Sequence, residues 1–355
     1  RELCEKLDDP EHLLPVLYGQ SLAVIVKPDS RRARVLAAEF LSLAEARGAT
    51  GAALVARRIA GFSLHNLGEF LASEECFERV VALYDAERDR RLAYRYSQDP
   101  RATALAVLSI VKWLLGYPDR SARNGAEALV YANELGHANT FAYTQYFAGC
   151  MRPAMGRDWA AVRENAAAAI AFTERHRMAM WQGWIKFSLE RAQAETTPTT
   201  ANLTEMRATL ASVDSLGTLV HATFRMTQLA VAQARLGRID EGLATLDDAA
   251  RFAEATGERW WEAEIARLRG ELLRSRTPAA TDEAESCFTQ ALAITRAQKA
   301  KSLELRAAMS LARLLRDRNE TRAARDLLAP VYGWFTEGFG TPDLVDAKAL
   351  LEELG

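Results

Sequence analysis

The chain has 355 residues, with 45 Lys+Arg against 47 Asp+Glu and a formal net charge of −2, so no global electrostatic drive towards nucleic acid exists. Hydrophobic residues make up 49% and charged residues 26%, values that permit a large buried core and exclude disorder. The four cysteines (Cys4, Cys76, Cys150, Cys287) are far apart with no CxxC, which excludes a disulfide framework or zinc site and fits a reducing cytoplasm. No stretch is long and apolar enough to suggest a bilayer span.

In chain order, the apolar periodicity and turn residues predict helices in pairs. Glu11–Val26 and Ser30–Arg47 form the first pair, with Pro15 in a first helical turn, where proline is tolerated. Thr50–Leu67 and Phe70–Tyr84 follow, then a longer loop around Asp85–Pro100. Arg101–Leu115 with Asp119–Leu135, Asn139–Met155 with Trp159–Arg175, and Ala179–Glu195 with Asn202–Leu216 come next. Thr218–Leu236 with Ile239–Thr256, Glu258–Arg274 with Asp282–Ala297, and Ser302–Arg316 with Arg322–Phe335 complete eight pairs. The connectors Thr196–Thr200 and Ser275–Thr281 are irregular in composition, and Pro342–Leu354 reads as a polar terminal helix carrying Asp343, Asp346, Lys348, Glu352 and Glu353. Strand alternation is missing. The start at Arg1, inside helix-like sequence, suggests a piece of a longer protein.

Small residues recur with a period near 40. Gly68, Gly116, Gly156 and Gly237 are spaced by 48, 40 and 81, the last being two periods. Gly61, Ser109, Gly149 and Ala230, continued by Gly270 and Ala312, run seven residues ahead of them. Gly136, Gly217 and Gly257 mark helix C-termini. In the clearest copy, Gly270 in the first helix faces Ala284, Phe288 and Ala291 of the second, so that a small residue admits an aromatic one. This resembles the tetratricopeptide pattern with longer helices. It implies an all-α fold: an α-solenoid of about eight antiparallel helix pairs in a right-handed superhelix, forming one repeat domain over residues 1–355.

No catalytic constellation emerges. A GxxxxGK[ST] loop, a nucleophile elbow and an HExxH spacing are all absent, and the scattered acids form no recognisable pair, so no catalytic residue, metal ligand or cofactor is expected. What remains is surface. The inward offsets of tetratricopeptide arrays select Val55, Arg58, Phe62, His65 and Asn66 in the second pair, then Ile110 and Trp113 in the third. Tyr143, Tyr146 and Cys150 follow, then Trp184, Phe187 and Arg191, with Glu190 at the fifth pair's small position. Glu264, Arg267, Glu271 and Arg274, then Arg306, Met309, Arg313 and Arg316, complete the wall. The centre is thus aromatic and the C-terminal part rich in arginine, residue types that anchor interfaces and grip carboxylates or phosphates. Arg267 and Glu271 also suit an i,i+4 ion pair. Of the neighbours Trp260 and Trp261, one is expected to pack between repeats, since both cannot face the same way.

Longer stretches carry a more specific resemblance. They are Leu115-Gly-Tyr-Pro-Asp119, Glu134-Leu-Gly-His137, Thr256-Gly-Glu-Arg-Trp-Trp-Glu-Ala-Glu264, Leu268-Arg-Gly-Glu-Leu272, Ala300–Ala308 and, above all, the run from Leu328 to Phe339. These resemble the tetratricopeptide-repeat C-terminal region of bacterial multidomain signalling proteins, in which a class III adenylate/guanylate cyclase or a transcriptional regulator is fused to a STAND/AAA-type ATPase. The resemblance implies a cytoplasmic, non-catalytic sensor region. Its partner would be a protein or peptide, including upstream domains of the same polypeptide, or a small-molecule signal; neither nucleic acid nor membrane is implied. A free-standing scaffold that binds a partner in its concave groove is the alternative.

Overall fold

The computed structural model describes residues 10–27, 29–276 and 281–355. Cys4, residues 277–280 of the expected Ser275–Thr281 connector and the side chain of His12 lie outside that description. The chain is an all-α solenoid of antiparallel helix pairs, and no strand occurs among the described residues. Helices α1 (Pro10–Val26), α2 (Ser30–Ala46), α3 (Thr50–Asn66) and α4 (Phe70–Leu83) open the array. Pro15 lies inside α1, because the helix starts at Pro10 rather than at Glu11 with Pro15 in its first turn. The expected loop around Asp85–Pro100 contains two single-turn helices, α5 (Ala86–Asp89) and α6 (Leu92–Arg95), the first capped by the Asp85 carboxylate on the Arg88 N–H.

Helices α7 (Pro100–Leu114) and α8 (Pro118–Leu135) each begin with proline, whose missing N–H costs nothing there. The next helix is not continuous as expected. Ala138–Thr144 (α9) widens into a π-helical turn at Gln145–Met151 before α10 (Arg152–Met155). Pro153 explains the widening. It lacks an N–H and its ring crowds the carbonyl four residues back, so the preceding turn relaxes and the Arg152 N–H reaches back five residues to Phe147 O.

The rest comprises α11 (Trp159–Arg175), α12 (Ala179–Thr196), α13 (Thr200–Ser215), α14 (Ala222–Arg235), α15 (Ile239–Thr256), α16 (Glu262–Arg276), α17 (Thr281–Gln298), α18 (Lys301–Asp317), α19 (Thr321–Tyr332) and α20 (Pro342–Glu353). The small residues act as the periodicity suggests. A Cβ on Gly270 would fall 2.5 Å from the Phe288 ring, and one on Gly61 3.0 Å from Phe77. At the fifth pair Gly183 takes this part, since its Cβ would meet Val213 at 2.4 Å. Glu190 is buried there and accepts a 2.9 Å hydrogen bond from Thr209 Oγ1 on α13.

The array curls until pairs far apart in the chain meet. Leu219 N–H donates to Val26 O at 3.1 Å, and the Arg259 and Trp260 N–H groups donate to Asn66 O at 2.7 and 3.2 Å. Helix α18 packs on α7, with Ser302 Oγ donating to Trp113 O. Glu337 Oε1 accepts from the N–H groups of Asp119 and Arg120, each at 3.0 Å, at the start of α8. One apolar core therefore unites Phe62, Trp113, Trp184, Trp260 and Leu303, and much of the inner face is covered by the chain itself.

Candidate functional site

Two of the cavities among the described residues are lined by residues expected on the inner wall. The first is a chamber of about 240 Å³ towards the C-terminal half. Arg157 reaches it from the turn before α11, Arg191 from α12, Arg235 from α14, Arg267 from α16, and Arg306 and Arg313 from α18. Four acids line it as well: Glu195, Glu264, Asp343 and Asp346. Arg267 grips Glu264 through both Nε (2.8 Å) and Nη2 (2.7 Å), a fork that holds the Glu264 carboxyl below the usual carboxylate range despite its burial. Glu195 is shared by Arg191 (2.8 Å) and Arg235 (2.9 Å), and Asp343 by Arg306 (2.8 Å) and Arg157 (3.5 Å). Asp346 takes Arg157 at 2.7 Å. Arg313 has no ion-pair partner among the described residues. Aromatic rings back the guanidinium groups: Arg191 lies 4.6 Å from the Trp159 centroid and Arg306 4.8 Å from that of Trp113.

The second cavity, of about 90 Å³, sits where α1, α3, the π-helical turn, α12 and the turn before α14 meet. Its walls are apolar and aromatic, among them Ile59, Phe62, Tyr143, Phe147, Trp181 and Trp184. Arg58 lines it, only 4% exposed, with Nη1 donating to Gln98 Oε1 at 3.0 Å and Nε without an acceptor. Burial pushes the Tyr143 phenol up while Arg58 pulls it down, so the hydroxyl stays neutral. Behind Phe62 lies a buried cluster of His65, His221, Trp260 and Phe70.

The residues expected on the concave wall divide between these places. Glu264, Arg267, Arg306 and Arg313, with Arg191 and Met309, line the chamber, whereas Arg58, Phe62, Tyr143 and Trp184 line the small pocket. Glu271 lies beside the chamber, accepting from Ser310 Oγ at 2.6 Å and facing Arg267 at 3.5 Å. Trp113, Tyr146 and Phe187 are buried, Trp113 under Arg306 and Tyr146 against Trp184. Trp260 and Trp261 are both buried rather than one of them, because the chain turns instead of continuing a helix there and the rings take different neighbours. Arg157, Glu195 and Arg235 escaped the inward offsets because they sit at helix ends and a turn. Asp343 and Asp346 belong to the end helix, where polar residues read as a solvated cap.

No metal-ligating group of three or more His, Cys, Asp or Glu occurs among the described residues, nor any helix long and apolar enough to cross a membrane. No family model matches the chain. The uncharacterized protein R02095 of Rhizobium meliloti (strain 1021) is 23% identical over 253 residues. That stretch is 70% of this chain and 24% of the relative, so the chain spans about a quarter of the length of the curated relative it matches. Among solved structures, a Rap protein complexed with competence and sporulation factor aligns with a TM-score of 0.56 and 11% identity, covering 97% of this chain and 98% of that one. The apo form of RapI gives 0.51 and 10%, covering 84% and 99%. At such identities the likeness is one of fold, an α-solenoid of the same general form.

Proposed function

We propose that the chain is a non-catalytic sensor module whose arginine chamber receives an acidic peptide segment of a partner protein. The observation that carries this reading is the convergence of six arginines on one chamber with four acids, Arg313 having no ion-pair partner among the described residues. Guanidinium groups bind carboxylates as planar forks, and aromatic backing keeps them ordered, so the chamber favours a ligand carrying several carboxylates. The solved Rap complex supports occupancy of such an array by a bound factor. The module serves in the cytoplasm, which the unpaired thiols of Cys76, Cys150 and Cys287 support. It regulates a longer protein carrying a STAND/AAA-type ATPase and a cyclase or DNA-binding effector. The curated relative, about four times as long as the matched stretch, supports that part, as do the motifs between Leu115 and Phe339.

Fluorescence anisotropy with labelled hexaglutamate tests the binding half. Saturable binding that weakens with added salt is expected, with about a ten-fold loss in Arg313→Ala, equivalent to about 1.4 kcal/mol. Hexalysine binding equally well, or an indifferent Arg313→Ala, overturns it. The regulatory half is tested by ATP turnover of the full-length parent with and without the peptide; an unchanged rate at saturation removes it.

A further inference from the structure

We propose that the small aromatic pocket is a separate binding site for a short-chain aliphatic carboxylate, held through Arg58. Three observations place the site. Arg58 is buried, has no ion-pair partner among the described residues, and leaves its Nε without an acceptor. Arginine cannot shed its proton as a buried lysine does, so a desolvated guanidinium without a counter-ion is costly, and an anion entering the pocket relieves that cost. The Trp184 indole N–H, on the same pocket's wall, is likewise buried and unpartnered, which supplies a second donor for a two-oxygen ligand.

The walls define the rest of the ligand. Ile59, Phe62, Phe147 and Trp181 offer no hydrogen-bonding group for a polar tail, the Trp181 N–H being given to Asn139 Oδ1 at 2.7 Å, and the polar lining residues Gln98 and Tyr143 are both engaged with Arg58. A hydrated phosphate gains nothing from such walls and meets one lining cation where two charges need balancing. The volume sets the size. About 90 Å³ is well below the roughly 150 Å³ of a cavity that holds benzene, so an acid smaller than benzene, of about two or three carbons, fits and a branched or aromatic acid does not. Phe147 stands on the π-helical turn, a widening that often marks functional sites. Arg225, 5.1 Å from the Trp184 centroid on the same inner side, adds positive potential.

The pocket draws Val26 from α1 and Val220 from the turn before α14, next to the Leu219–Val26 hydrogen bond that joins the first pair to the sixth. An occupant therefore binds the closed array better than an open one and stabilises it by mass action. This site shares no lining residue with the arginine chamber, and its success or failure leaves the hexaglutamate result untouched.

The test titrates the whole chain with acetate and propionate, read by tryptophan emission and thermal shift. Propionamide, propylamine, benzoate and inorganic phosphate are the comparators. Saturable responses to both acids are expected, with the amide and amine at least about ten-fold weaker and benzoate and phosphate inactive. Arg58→Met abolishes the response. Met180→Trp, which keeps Arg58 and fills the pocket from its half-buried rim, does the same, whereas Arg313→Ala responds as wild type. If Arg58→Met fails to fold, Met180→Trp decides the location and the amide comparison decides the charge requirement. Equal binding of propionamide, retention in Met180→Trp, or no saturable response in the tens of millimolar overturns the proposal.

Discussion

His65 stands in an aromatic box with no hydrogen-bond partner on either ring nitrogen, 4.9 Å from the Trp260 centroid and 5.3 Å from that of His221. Burial pulls its pKa down from 6.5 to about 3, and that of His221 also falls, by burial and then by the neighbouring His65 and Arg225. Between pH 6.5 and about 3 the unfolded chain binds a proton that folded His65 refuses, so stability is lost as the pH falls through that window. At about 1.4 kcal/mol per pH unit, His65 costs about 2 kcal/mol at pH 5 relative to pH 7. Urea midpoints at the two pH values measure the loss, and His65→Leu is expected to shrink it by that amount. An identical pH dependence in the variant contradicts a neutral, buried His65. Glu258 and Asp99 act in the opposite direction, since burial raises their folded pKa values and adds stability on acidification, so the comparison between variants isolates the histidine. Sequence reading placed His65 on the inner wall through its offset from Gly61. It gave no sign of the box, because Trp260 and His221 lie far along the chain and reach it only when the array curls.

At the scale of the element, α14 and α16 begin at Ala222 and Glu262, four residues later than the periodicity of Thr218 and Glu258 suggests. The two four-residue segments, Thr218–His221 and Glu258–Trp261, lie 40 positions apart and both interrupt the helical pattern, His221 with a left-handed φ of 53° that its counterpart Trp261 does not share. Their β-branched and aromatic residues are poor helix formers, and tertiary bonds to Val26 and Asn66 compensate the backbone. Glu258 shows what such a turn achieves. Fully buried, it accepts from the His221 N–H at 2.9 Å and the Thr223 N–H at 3.0 Å, and so caps the start of α14 from 35 residues away. Glu258→Ala leaves those donors buried and unpaired, and a loss of about 3 kcal/mol in chemical denaturation is expected. Glu258→Gln keeps one acceptor oxygen and costs less. Equal stability of Glu258→Ala and wild type would show that water replaces the carboxylate. The repeat itself was legible because Gly61, Gly270 and their partners Phe77 and Phe288 recur at fixed offsets. The π-helical turn was not, since Pro153 alone does not reveal whether a helix will kink, break or widen around it.

At the scale of the molecule, periodicity fixes neighbours but not curvature, which accumulates from small rotations between successive pairs. Four of the six stretches that resemble the signalling-protein region take part in the contacts of closure. Leu115–Asp119 meets the run from Leu328 to Phe339: Tyr117 lies 5.6 Å from the Trp334 centroid, and Gly338, at φ 76°, rests on the Pro118 ring. Thr256–Glu264 meets Asn66, and Ala300–Ala308 meets Trp113. Such stretches were recognisable in the sequence because long-range contacts restrict residue type, yet nothing local told which stretch touches which. Glu337 is the most exposed to test. Its carboxylate caps α8 and pairs with Arg120 at 3.3 Å, fastening the C-terminal segment to the third pair. Glu337→Ala removes a charge-assisted cap worth about 1–2 kcal/mol and loosens that fastening. Small-angle scattering is expected to show a larger radius of gyration, and limited proteolysis faster cleavage after Leu328, with both effects growing when Ser302→Ala is added. A double variant with wild-type scattering would assign closure to the apolar contacts of Tyr117, Trp334 and Pro118 instead, and Gly338→Val, which forces a side chain into Pro118, would then be the substitution that opens the array.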